Sequence, residues 1–280
     1  MEKVRKAFFS GTWYPEKGLE VEKQLDKWDQ VLAPAVKNSI CGIVPHAGWF
    51  FSGIMAYDVI RRFPENLDVL FILGGHLPEN NPIIFYDYDS FETPLGPLPV
   101  KRSIISSIRK KIHCESDESA DNTIEVQLPL INYILGQIPI VPLRVPSGES
   151  ALKLAEIINT VSSSSNLNIA VLGSTDLTHY GLNYNFIPQQ SLDDPLKWVE
   201  ESDRRILQAM IDVEPVNILE LAHDNQSACS AGAAACAASY ARIRGITSGT
   251  LLQYDTSYSK HKSESFVGYG SVVYSAGQKT

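Results

Sequence analysis

The sequence lacks the features of a membrane protein and of a secreted disulfide protein. No apolar run approaches the roughly 18 residues that a membrane-spanning helix requires. No apolar signal core follows the first basic residues, and the 4 cysteines form no CxxC pair. We therefore expect a cytoplasmic protein with reduced thiols and no membrane segment.

Clustered basic residues are also missing. The chain has 24 Lys and Arg against 32 Asp and Glu, a formal net charge of −8. Phosphate binding depends on clustered Lys and Arg, so this balance argues against a general nucleic-acid binder. The short basic pairs Arg61-Arg62 and Lys101-Arg102 are better interpreted as solvated faces.

What the sequence does contain is a pattern of strands and helices. Its 280 residues, 44% of them hydrophobic, are compatible with one α/β domain over 1–280. Short β-branched runs predict strands at 39–45, 67–73, 138–145 and 167–172. The two prolines in 138–145 suggest a sheet edge or an irregular strand. Apolar residues at helical spacing predict helices at 20–32, 100–112, 123–135, 151–161, 197–211 and 231–244.

The tail of the chain returns to strands. We expect them at 250–254 and 266–274, joined by a polar loop, 255–265, that could cover a site. Alternation of strands and helices predicts a three-layer α/β domain with a central mixed, mostly parallel sheet and helices on both faces.

Three histidines follow predicted strands. They are His46, His76 and His179. A histidine after a strand commonly caps a turn or binds a main-chain carbonyl, so each alone means little. Ligands of open α/β sheets bind outside the carboxyl ends of the strands, where these three would converge. Because imidazole is the commonest metal ligand in proteins, convergence predicts a metal site.

Three other residues have two interpretations each. Glu125 lies three residues after Asn122, the spacing of a capping box, or its carboxylate faces the cleft from a helix start. Asp176 caps a turn or orients His179 and raises its basicity. Cys229 is a buried structural thiol, or a thiolate stabilised by the following helix or by a metal. Cys236, seven residues further along, is assigned to the core.

Several ordered motifs resemble those of the Memo family, whose archaeal and bacterial members are associated with radical-SAM and AMMECR1-like partner proteins. The resemblance runs nearly end to end. Its motifs are Gly11-Thr12-Trp13-Tyr14-Pro15, Pro45-His46-Ala47-Gly48-Trp49 with Ser52-Gly53, Glu92-Thr93-Pro94-Leu95-Gly96, Ile124-Glu125-Val126-Gln127-Leu128-Pro129, Ser174-Thr175-Asp176-Leu177-Thr178-His179-Tyr180, Ser227-Ala228-Cys229 with Gly232, and Phe266-Val267-Gly268-Tyr269-Gly270.

The resemblance implies a fold shared with class III extradiol ring-cleaving dioxygenases. It also implies copper or iron bound by two histidines and a cysteine, here His46, His76 and Cys229. Glu125, Asp176 and His179 would line the same cleft, with His179 in the position of the dioxygenase acid/base. The sequence departs from the family pattern at three places: the shorter Gly74-Gly75-His76 turn, Asn122 in place of a histidine, and Ser230 in place of a glycine. The short turn leaves open whether His76 reaches the metal site.

These observations lead to two functional hypotheses. The first is a metal-dependent, dioxygenase-like oxidoreductase that acts on a small molecule, with proton transfer by His179, oriented by Asp176. The alternative is a non-catalytic module that binds a peptide or a partner protein in the same cleft. The aromatic run Trp49-Phe50-Phe51 would line that pocket, unless a helix buries its rings in the core. A third possibility is metal storage or delivery.

Overall fold

A computed structural model describes residues 2–188 and 193–276, and it contains a large mixed sheet with helices on both faces. The strands are β1 Val4–Arg5, β2 Ser39–Val44, β3 Val69–Gly74, β4 Ile83–Phe85, β5 Ser90–Phe91, β6 Leu98–Pro99, β7 Cys114–Ser116, β8 Ile140–Arg144, β9 Ile169–Ser174, β10 His179–Tyr180, β11 Thr250–Thr256 and β12 Phe266–Ser275. The helices are α1 Gly18–Val31, α2 Trp49–Ile60, α3 Arg102–Arg109, α4 Asn122–Glu125, α5 Leu128–Leu135, α6 Glu149–Ser165, α7 Pro195–Ile211, α8 Pro215–Asn225, α9 Ala231–Ile243 and α10 Ser257–Lys260.

The large sheet has the strand order β10-β12-β2-β9-β3-β8-β4-β7, with β11 paired to β12 outside this path. Its centre is parallel, because β2, β9, β3 and β8 pair in one direction, whereas β12 and β4 pair antiparallel on the two flanks. A second, three-stranded sheet has the order β1-β5-β6. The predicted α/β class with a mixed sheet is therefore confirmed.

Alternation along the central strands produces two cores. In β3, Phe71 packs with α6 and α9 on one face, and Leu70 packs with α2 and α5 on the other. Both residues are fully buried, as expected for a strand covered on both sides. Among the described residues, no helix is both long and apolar enough to cross a membrane.

Two sequence predictions are wrong, both at prolines. β8 is not an edge strand, since it lies between β3 and β4. Val145 donates its N–H to Gly74 O in β3. Successive backbone N–H groups of a strand point to opposite sides, so the nitrogen of Pro142 points toward β4 instead. There, β4 pairs only with Leu143 and Arg144. The helix predicted at 123–135 is divided into α4 and α5, because Pro129 cannot donate to Glu125 O and its ring would clash there.

The buried carboxylate of Asp203 connects α7 to β11 and to the residue before β10 by hydrogen bonds. Asp203 Oδ1 accepts a hydrogen bond from Thr178 N at 3.1 Å, and Oδ2 accepts one from Tyr254 OH at 2.9 Å. A Cβ at Gly268 would lie 1.8 Å from Oδ2, so β12 needs glycine at this point. Burial raises the pKa of Asp203 to about 6, although Thr178, Tyr254 and His179 oppose the shift.

We expect Asp203→Asn to change the pH dependence of stability. The folded-state pKa exceeds its usual 3.8, so the Asp203 contribution is fully present below 3.8 and is lost as pH rises through about 6. From about pH 7 to about pH 4.5, the free energy of unfolding of the parent should rise by about 2 kcal/mol relative to the variant. Urea unfolding at both pH values measures this difference. Parallel pH profiles for the two proteins would contradict the raised pKa.

Candidate metal centre

His46 lies in the turn that follows β2, and its position is fixed through its main chain. Its N–H donates to Asp176 Oδ1 at 2.7 Å, and its carbonyl accepts from Asn122 Nδ2 at 3.2 Å. The side chain is buried. Its Nδ1 lies 3.2 Å from Ser174 Oγ, so the ring is held on one side while Nε2 faces the neighbouring histidine.

His76 reaches the same point although its turn is short. Gly75 has a φ of +94°, and a Cβ there would lie 2.5 Å from the Cβ of Arg144. A Cβ at Gly74 would lie 2.1 Å from Thr123 Oγ1. Only glycines fit this path, and it brings His76 Nε2 to 3.2 Å from His46 Nε2.

Cys229 completes the cluster immediately before α9. Its Sγ lies 3.2 Å from His46 Nε2, and its N–H donates to Asp176 O at 3.2 Å. The next amide, Ser230 N, donates to Thr175 Oγ1 at 3.0 Å. The helix therefore starts against the turn that follows β9, and its first residues are held there by these bonds.

The three donor atoms suit a metal ion. The two imidazole nitrogens and the thiol sulfur all lie within 4.8 Å of one another. Ligand atoms about 2.0 to 2.3 Å from a tetrahedral ion are about 3.3 to 3.7 Å apart, close to the 3.2 Å separations found here. The sequence prediction that these side chains form one cluster agrees with this placement.

The protonation states of the cluster are coupled. Burial alone would raise the pKa of the Cys229 thiol, but the charge and hydrogen bond of His46, with His76, lower it well below its usual value. Burial would lower the pKa of His46, but Asp176 and Cys229 raise it. Both shifts favour a thiolate beside an imidazolium, and a metal ion bound here would take the place of the proton between His46 Nε2 and Cys229 Sγ.

Asp176 is shared between two histidines. Its Oδ2 lies 3.7 Å from His179 Nε2 and 3.9 Å from His46 Nε2. Burial opposes ionisation of this carboxyl group, but His46 and His179 lower its pKa below the usual value. Burial likewise opposes the charged form of His179, but Asp176 and Cys229 raise the pKa of its imidazole. His179 stacks on Tyr184, with 4.9 Å between ring centroids.

Glu125 lies in neither of the two places that the sequence suggested. Its Oε1 accepts hydrogen bonds from Phe9 N at 2.7 Å and from Tyr14 OH at 3.0 Å. The capping-box interpretation is wrong, because Asn122 is already inside α4 and its amide is not the partner. Glu125 is also not among the residues that line the cleft around His179; the N-terminal segment binds its Oε1, whereas its buried Oε2 has no hydrogen-bond partner among the described residues. Glu125 therefore anchors the N-terminal segment through these two hydrogen bonds.

A cleft of 430 Å³ is lined by His46 and His76, and aromatic side chains form part of its wall. Phe50, 70% exposed, and Phe51 lie on it, whereas Trp49 is buried and donates to Val126 O. Sequence analysis missed several lining residues: Thr12, Trp13, Tyr184 and Tyr269. Trp13 and Tyr269 belong to motifs already quoted, so a signal existed for them, but none marked Tyr184.

Comparisons with known proteins identify the family and the fold of this chain. A family model described as Memo-like protein matches residues 5–273. A MEMO1 family protein of Thermococcus onnurineus is 30% identical, covering 97% of this chain and 99% of its own. One from Pyrococcus furiosus is 29% identical over 96% of this chain and 98% of its own. The crystal structure of an uncharacterized Escherichia coli K12 protein has the same fold, with a TM-score of 0.57, 10% identity, and coverage of 83% of this chain and 98% of that one.

The role of Glu125 in anchoring the N-terminal segment can be tested by removing its carboxylate, which accepts both hydrogen bonds. Glu125→Ala leaves a main-chain N–H and a tyrosine hydroxyl without their partner, so we expect a loss of about 3 kcal/mol in the free energy of unfolding. Tyr14→Phe removes one of the two bonds and should cost about 1 to 2 kcal/mol. Glu125→Gln keeps an oxygen for both donors and should lie nearest the parent.

Urea unfolding of the metal-free proteins gives these values. An unchanged stability in Glu125→Ala, together with a loss of metal affinity, would return Glu125 to the cleft.

Proposed function

Because this chain belongs to the Memo-like protein family, we propose that it binds a copper or iron ion at His46, His76 and Cys229 and acts as an oxidoreductase on a small molecule. The observation that carries the proposal is the convergence of these three donor atoms within 4.8 Å of one another, with His46 and His76 lining the cleft. Two imidazoles and a thiolate form a soft donor set, which favours copper(I) or iron over magnesium or calcium. Such an ion would supply one-electron redox chemistry at the base of the cleft.

The chain's own residues would bind the substrate and move its protons. A 430 Å³ cleft lies within the size range of small-molecule sites, and its aromatic wall suits an apolar or planar molecule. His179 lies on the same wall, and its side chain is 30% exposed, so a bound molecule can reach it. Asp176 is near enough to stabilise the imidazolium form while His179 holds a proton taken from the substrate.

The exposed ring of Phe50 favours a second candidate. An aromatic side chain 70% exposed at the mouth of a cleft is typical of a binding surface. In this candidate function the cleft holds a peptide or a partner protein, and the metal is absent or structural. Radical-SAM and AMMECR1-like proteins remain partners proposed from the family resemblance.

Metal content separates these functions. We expect protein purified without added metal to contain copper or iron near one equivalent, measured by plasma mass spectrometry. His46→Ala, His76→Ala and Cys229→Ala should each weaken metal binding at least ~10-fold, because each removes a donor. His179→Ala should stay within several-fold of the parent, since its ring is outside the three-donor group.

Two substitutions serve as controls. His113→Ala removes an exposed histidine, and Cys236→Ala removes a buried thiol of α9 that faces the core. Both should bind metal like the parent. Equal losses in His179→Ala and His46→Ala would make His179 a ligand. A metal-free protein that binds peptide would favour the module.

A further inference from the structure

We infer that Thr123, which makes no hydrogen bond to either ring, positions both histidine ligands of the proposed metal centre. Its carbonyl acts on His46 through Ser174, and its hydroxyl acts on His76 through Gly75. The inference rests on the proposed function, because it names the residues that preorganise the same site. Thr123 and Ser174 are both fully buried, so water does not compete for these bonds.

The carbonyl arm fixes which nitrogen of His46 carries hydrogen. Ser174 Oγ lies 2.6 Å from Thr123 O, and a carbonyl can only accept, so the single hydroxyl hydrogen of Ser174 is donated there. The oxygen of Ser174 must then accept from its other neighbours. One of them is His46 Nδ1 at 3.2 Å, which therefore carries a hydrogen. A second is the Gln127 amide at 3.4 Å.

The consequence for His46 is a defined direction for its other nitrogen. With Nδ1 held as a donor, Nε2 is the atom left to bind a metal ion, and it is 3.2 Å from both His76 Nε2 and Cys229 Sγ. A ring turned over by 180° would place its Cε1 carbon at the cluster and leave Ser174 Oγ facing its Cδ2 carbon. Hydrogen bonds to the nitrogen opposite the metal commonly fix histidine ligands in this way.

The hydroxyl arm fixes the turn that carries His76. Thr123 Oγ1 accepts from Gly75 N at 2.7 Å and donates to Asp121 Oδ1. Asp121 is in turn 3.2 Å from Arg144 Nε, and the Cβ of Arg144 packs against Gly75. The N–H of Gly75, next to His76, therefore donates to the Thr123 hydroxyl, whose own hydrogen is donated to Asp121.

Neighbours of Thr123 bind the same turns. Asn122 Nδ2 donates to His46 O at 3.2 Å, and Gln127 Nε2 donates to Pro45 O at 2.8 Å. The segment 122–127 therefore meets the ends of β2, β3 and β9 together. A short stretch of chain with five such bonds is a preorganising support and not an ordinary connection.

The first test uses metal-free protein with ¹⁵N-labelled histidine. Long-range ¹H–¹⁵N correlation should show a slowly exchanging hydrogen on His46 Nδ1 in the parent, and Ser174→Ala should lose it. A charged ring carries hydrogen on both nitrogens, so the spectra are compared over a pH range that includes the neutral ring, in which only the tautomer held by Ser174 keeps the hydrogen on Nδ1. A His46 ring whose only hydrogen is on Nε2 would overturn the inference.

The second test measures binding of Co²⁺ alone, followed by its thiolate absorption. Ser174→Ala and Thr123→Val should each weaken binding about 10- to 100-fold, as losses of such outer partners do. Thr123→Ser keeps the hydroxyl and should bind within several-fold of the parent. Ser271→Ala is the matched control, since Ser271 is also fully buried but its hydroxyl has no hydrogen-bond partner among the described residues.

The effect of the Thr123 carbonyl on His46 and the effect of the Thr123 hydroxyl on His76 can be measured separately. Thr123→Val keeps its carbonyl, so the hydrogen on His46 Nδ1 should persist while Co²⁺ binding weakens. Parent-like binding in both Ser174→Ala and Thr123→Val would overturn the inference. If the parent binds no Co²⁺, copper or iron, the proposed function fails, and the resonance of His46 Nδ1 still decides whether Ser174 sets the ring.

Discussion

Parallel pairing of three adjacent strands is the constraint on which the candidate site depends. β2 and β3 both pair with β9, so His46 and His76 follow strands that flank the one ending at Ser174. Neighbouring strands are about 4.8 Å apart, so the two histidine turns start about 10 Å from each other. Their rings meet over the end of β9, where Asp176 accepts from the main-chain N–H of His46 and Ser174 lies beside its ring.

Charge balance explains why these groups can be buried. An isolated carboxylate or imidazolium in a protein interior costs several kcal/mol. Here Asp176 lies between His46 and His179, and the thiolate of Cys229 faces His46 from the other side, so opposite charges alternate. In the pairs His46–Asp176, His46–Cys229 and His179–Asp176, each partner shifts the pKa of the other toward the charged form, against the effect of burial. A metal ion bound to the three donors would take the place of the proton between His46 and Cys229.

Strand ends could be predicted from the sequence, but long-range partners could not. Apolar runs that stop at glycine or a polar turn mark His46 and His76, because a strand buried on both faces leaves its signature within a few residues. Glu125 could not be placed, since a capping box and a cleft carboxylate share one spacing and its partner Phe9 is 116 residues away. Pro142 was misleading for a related reason. Whether its missing N–H matters depends on how far β4 extends beside it, which only the folded sheet shows.

The distribution of burial bears on the choice among catalysis, storage and peptide binding. A docking surface for a peptide or a partner protein needs exposed apolar side chains such as Phe50. It does not need buried ionised groups such as Asp176. A storage site is better served by a closed coordination sphere, yet within the described residues no fourth His, Cys, Asp or Glu joins the three-donor group. His76 alone of the three is exposed, so the centre opens to the cleft on its side. Three protein ligands with one accessible side are typical of catalytic metal sites, because a substrate or water must take the remaining position. His179, the proposed proton acceptor, lies on that same open cleft, within reach of a molecule bound there.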